Sequence, residues 1–109
     1  MRGGFCVERI VKHITEDGKV DFEFVGFELW EDFDTLINIL KTQMHAIIVD
    51  KIEGIYSRYW TFEMDNIPFK LMYHEDMGNC LCPVKGSGDE IIFLENLAYK
   101  MLPFISESL

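Results

Sequence analysis

The apolar positions change period several times along the chain, and each change marks an element. Val20, Phe22 and Phe24 alternate with Asp21 and Glu23, the pattern of a strand with one buried face. This predicts a strand over residues 19–27, preceded by another over 5–14. Glu16-Asp17-Gly18 lies between them as a hairpin turn, because glycine accepts the positive φ such turns require. The register stays open. A two-residue Asp17-Gly18 loop places Val11 and His13 beside Val20 and Phe22, whereas a three-residue loop places Ile10 and Ile14 there. The period then lengthens. Leu29, Phe33, Leu36, Ile37, Leu40 and Met44 form one stripe of a helix over 29–44. Glu31, Asp32 and Asp34 fall early in it, where acids suit the positive end of the helix dipole. Residues 45–52 contain the continuous run Ala46-Ile47-Ile48-Val49, which suits a strand buried on both faces or near the sheet centre.

The clearest hairpin joins strands over 56–64 and 67–74 through Asp65-Asn66, residues suited to a primed turn. The pairing is then Met64 with Ile67, Phe62 with Phe69, Trp60 with Leu71 and Arg58 with Tyr73. Opposed residues share a face, so Trp60, Phe62, Met64, Ile67, Phe69, Leu71 and Tyr73 form one apolar surface. A further strand covers 78–84. With Asp76-Met77 as the turn, or a four-residue loop 75–78, Tyr73 opposes Cys80, Leu71 opposes Cys82 and His74 opposes Asn79. Both cysteines then point inward and His74 and Asn79 outward. Ser87 and Glu90 read as a capping box for a last helix from about 88 to 102, which Pro103 should kink or end. The order β-β-α-β-β-β-β-α predicts an α+β two-layer sandwich, a mainly antiparallel sheet with two helices, as a single domain over 1–109.

Charge narrows the partners. Nineteen acids against ten bases leave −9. Nucleic acid is a poor partner for such a surface, since phosphate binding needs clustered lysine and arginine; a basic protein is a better one. The run Ala46-Ile47-Ile48-Val49 falls far below the roughly 20 apolar residues of a membrane span, and the N-terminal stretch MRGGFCVERIVK carries charges where a signal peptide is apolar. Three cysteines, an odd number, agree with a reducing compartment. A cytoplasmic protein is expected.

The densest chemistry lies in YHEDMGNCLC, residues 73–82. Under the pairing above, His74 and the two cysteines lie on opposite faces, so no metal site and no cofactor are expected. Glu75 and Asp76 are adjacent on a turn and should be solvated, unlike a catalytic carboxylate pair. Ser57 opposite His74 is the best nucleophile–base pair, but no third group orients it. A non-enzyme is expected. The outward face should carry rows of Tyr59, Met72 and Leu81, then Ser57, His74 and Asn79, then Thr61, Lys70 and Pro83, with acids around it. Tyrosine and methionine are typical interface anchors. Candidate partner-binding residues are therefore Tyr59, Glu63, Lys70, Met72, His74, Glu75, Asp76 and Leu81.

Gly54 to Pro83 contains "YSRYW", a Phe-x-Leu strand at Phe69 and Leu71, and "HEDMGNCL" at the following turn. About a quarter of the chain thereby resembles small bacterial immunity proteins of contact-dependent growth inhibition and polymorphic toxin systems. The resemblance implies a non-enzymatic inhibitor that binds one cognate protein toxin, often a basic nuclease-like domain, and blocks it. It carries no residue-level roles. The second reading is a stand-alone ligand-binding or regulatory α+β domain, homodimeric through an exposed edge strand.

Overall fold

The structure, a computed structural model, describes residues 9–108. These form β1 (Arg9–Ile14), β2 (Val20–Val25), α1 (Trp30–Thr42), β3 (Ile47–Glu53), β4 (Ser57–Met64), β5 (Ile67–His74), β6 (Gly78–Pro83) and α2 (Gly88–Ser108). The element order is the expected one. Phe5, and Cys6 with it, lie outside the described residues.

The strands make one antiparallel sheet in the order β1-β2-β6-β5-β4-β3. Both helices cover the same face. Phe33 of α1 meets Trp60 edge-on at 6.1 Å, and Phe93 of α2 meets Phe69 at 6.3 Å. Phe22, Phe24, Phe62, Phe69, Leu71 and Leu81 from the sheet join Phe33, Leu36, Leu40, Leu94, Met101 and Ile105 from the helices in one core without solvent exposure. Among the described residues the opposite face carries no helix.

Local chemistry explains most of this. The β4–β5 pairing is the expected one from Ser57↔His74 to Met64↔Ile67, and Asp65 and Asn66 adopt φ of 51° and 64°, as a type I′ turn requires. In β1–β2, Ile14 pairs with Val20 and Ile10 with Phe24, the second of the two open registers. Its turn is closed by the Thr15 amide donating to Lys19 O at 2.9 Å and the Lys19 amide donating to Thr15 Oγ1 at 3.0 Å. The α1 start is tied by Asp32, whose carboxylate accepts the Leu29 N–H at 2.9 Å.

Four expectations are corrected. The run 46–49 does not lie near the sheet centre or in a strand buried on both faces: β3 is an edge strand, with Ile47, Val49 and Ile52 exposed. Only Ile48 of its apolar residues packs on the core, and the register slips between Ile48 and Asp50 as a bulge at Val49. The last helix does not stop before Pro103 but runs on to Ser108. Proline removes one backbone bond there, while burial of Ile105 holds the following turn against the core. At the start of α2, Ser87 Oγ accepts the Glu90 amide at 3.3 Å, but Glu90 reaches past Ser87 and accepts the Lys85 and Gly86 amides, both at 2.9 Å.

The fourth correction bears on function. Between β5 and β6 the pairing is His74↔Gly78, Tyr73↔Asn79, Met72↔Cys80, Leu71↔Leu81 and Lys70↔Cys82. Three residues, Glu75-Asp76-Met77, separate the paired ends, and Gly78 takes φ 75°. A one-residue change of register inverts every side chain of a strand. Leu81 and Asn79 therefore face the helices, and Cys80 and Cys82 face the other way.

Candidate functional site

The helix-free face is laid out by these registers. One row runs Asp21, Cys82, Lys70, Thr61, Asp50, and the next runs Glu23, Cys80, Met72, Tyr59, Ile52. His74 and Ser57 follow beside Gly78. Of the expected partner-binding residues, Tyr59, Glu63, Lys70, Met72 and His74 lie on this face, and Glu75 and Asp76 stand exposed in the adjoining turn. Leu81 does not belong to the set. It is fully buried beneath the helices, as the corrected register requires. Asn79 is also inward, where its amide nitrogen donates to Phe27 O at 3.0 Å and Leu29 O at 3.1 Å. It thereby fixes the chain that leads into α1.

At the β5–β6 turn the face closes into a concavity of about 280 Å³ lined by His13, Glu23, Glu28, Glu75, Asp76, Met77 and Gly78. His13 Nε2 lies 2.6 Å from Glu23 Oε1. The Glu28 carboxyl is held above the ordinary glutamate range, first by a hydrogen bond shared with Glu23, then by desolvation and by Glu23's charge. Two carboxylates this close cannot both ionise freely. A cationic group placed between them would relieve that repulsion. Gly78 makes the close approach possible: a Cβ there would sit 2.9 Å from Glu28 Cβ.

His13, Glu23 and Glu28 were not singled out in the sequence, yet a signal existed. Asp21 and Glu23 alternate away from the core face of β2, and an antiparallel partner must set β1 residues beside them. Only the open turn register hid which ones.

The other reactive groups are quiet. Cys80 is fully buried between its neighbours, and burial, followed by the nearby Asp21 charge, pushes its thiol far up. Burial pushes the half-buried Cys82 thiol up to about 12. Neither is poised as a nucleophile, which needs a lowered pKa. His74 now shares a face with both cysteines, contrary to the expected separation. Even so, among the described residues no group of three or more His, Cys, Asp or Glu is arranged to hold a metal ion. The His74 Nδ1 accepts the Asp76 amide at 3.1 Å, so its ring is oriented by its own turn. Among the described residues no helix is long and apolar enough to cross a membrane.

Comparison with family models, with curated proteins and with solved structures finds no match to this chain.

Proposed function

We propose that this protein is a non-enzymatic immunity protein, acting in the cytoplasm, that binds and neutralises a cognate toxin domain with a basic, nuclease-like surface. The observation that supports it best is the acidic concavity on the helix-free face. Glu23, Glu28, Glu75 and Asp76 converge there beside Met77, and Tyr59 and Met72 continue the same face. Such a surface suits a lysine or arginine of the partner entering between carboxylates, with apolar contact around it. The net charge of −9 speeds encounter with a basic domain in the same sense. The resemblance over Gly54 to Pro83 points the same way.

Co-expression with any toxin-like domain that a neighbouring gene encodes tests the reading, and the lack of such a gene would count against it. Growth should be restored and a complex should co-purify. The double change Glu28→Lys with Asp76→Lys should weaken that complex at least about tenfold and blunt its salt dependence. Persistent toxicity with no complex recovered would sink the proposal.

A further inference from the structure

A second depression lies at the other end of the helix-free face, and its charge is opposite to that of the molecule. It has a volume of about 380 Å³, within the usual range for small-molecule sites. Three lysines, Lys19, Lys70 and Lys85, line it, out of ten basic residues in a chain of net charge −9. Among the described residues, Lys19 approaches only the solvent-exposed Asp17, at 3.9 Å, and no ion pair engages Lys70 or Lys85. Among the described residues the acid in the lining is Asp21, whose charged form is disfavoured by burial. The depression is therefore net positive. Between the lysines its surface is mainly apolar, built from Tyr59, Met72 and Cys82 with Val84 at the rim, and Thr15 adds a hydroxyl.

We propose that this groove binds a small organic carboxylate, its anionic head among Lys19, Lys70 and Lys85 and its aromatic or aliphatic body over Tyr59 and Met72. A carboxylate fits better than a phosphate for two reasons. Phosphate sites converge backbone amides or arginine forks on several oxygens, and among the described residues the lining holds no arginine. The nearby amides of Lys85 and Gly86 are already taken by Glu90. What remains are separate point charges around an apolar floor, which suits one negative charge on an apolar body. This site does not depend on the toxin-binding reading.

Titration of isotopically labelled protein with phenylacetate tests it, run beside inorganic phosphate and a short acidic peptide at constant ionic strength. Phenylacetate should give saturable chemical-shift changes at Tyr59, Lys70, Met72, Cys82 and Val84, with Kd at or below about 1 mM. Lys70→Ala combined with Lys85→Ala, both at exposed positions, should weaken binding at least tenfold with the remaining spectrum unchanged. Lys70→Arg should retain it. An absent or non-saturating response overturns the proposal. So does phosphate binding as tightly, which would mean a general anion site. Tighter binding by the acidic peptide would also overturn it, and would make the groove a protein-docking surface.

Discussion

The Nε of Arg58 donates to both carboxylate oxygens of Glu53, at 3.0 and 3.1 Å. This joins the edge strand β3 to β4 on the helix side of the sheet. The same guanidinium reaches Asp34 of α1 through Nη2 at 2.9 Å and lies over the Trp30 and Phe33 rings at 4.9 and 4.3 Å. One nearly buried side chain thus ties the edge of the sheet to the first helix. Arg58→Lys should lose the fork and the stacking together, since an ammonium reproduces neither. We expect about 2 kcal/mol of destabilisation in urea unfolding, from charged hydrogen bonds and packing. Glu53→Gln should cost much less, because Glu53 is about half exposed and exposed pairs contribute little.

Gly78 and Gly18 provide a controlled pair. Both have positive φ, 75° and 84°. A Cβ at Gly18 meets nothing within 4 Å, whereas one at Gly78 presses on Glu28 Cβ at 2.9 Å. Gly18→Ala should cost about 1 kcal/mol, the conformational penalty alone. Gly78→Ala should cost clearly more, and should also displace Glu28 from Glu23. Urea midpoints of the two variants measure the difference.

Asp21 sits half-buried, and among the described residues its Oδ1 has no hydrogen-bond partner. Burial raises its pKa above 3.8, its ordinary value, with His13 opposing. A carboxyl raised in the folded state binds its proton more tightly there than when unfolded. Its ionisation therefore opposes folding above the folded pKa, and the penalty fades as pH falls towards 3.8. Asp21→Asn should raise the Tm at pH 7, and that gain should shrink as acid approaches the unfolded carboxyl range. Thermal melts of both proteins between pH 3.5 and 7, values set by the carboxyl titration range, check the sign.

Cys82 lines the lysine groove yet should react slowly. With its thiol at about 12, its thiolate fraction at neutral pH falls roughly a thousandfold below that of an ordinary cysteine. Alkylation followed by peptide mass analysis should leave Cys82 largely unmodified in the native protein at pH 8 and modify it rapidly in urea. Fast native alkylation would contradict the burial described.

Much of the architecture is legible in the sequence because local chemistry dictates it. Asp65-Asn66 leaves one turn geometry, and the seven apolar residues flanking it then take one face. The β5–β6 turn is different. Two-, three- and four-residue loops all suit Glu75 to Gly78, and only the odd length turns the cysteines outward. What favours it lies elsewhere in the chain: turned inward, Asn79 donates to the Phe27 and Leu29 carbonyls, and Leu81 joins the core. A buried polar group must find a partner, but no local pattern reveals which one. The same limit explains the candidate site. Five of its expected residues follow from the β4–β5 register alone, while Leu81 fails with the slipped turn. His13, Glu23 and Glu28 meet only through long-range pairing. The position of β3 was hidden for a different reason, since three successive apolar residues read alike in a central strand and at an edge.

The bulge at Val49 has a consequence for how the molecule behaves in a crowded solution. A straight edge bearing Ile47, Val49 and Ile52 would template fibril growth, one copy stacking on the next. The extra residue breaks the even spacing of donors and acceptors after Ile48, so an incoming flat strand loses step midway. Asp50, Lys51 and Glu53 add charge to the remaining length. The edge can thus carry exposed apolar side chains while resisting runaway polymerisation.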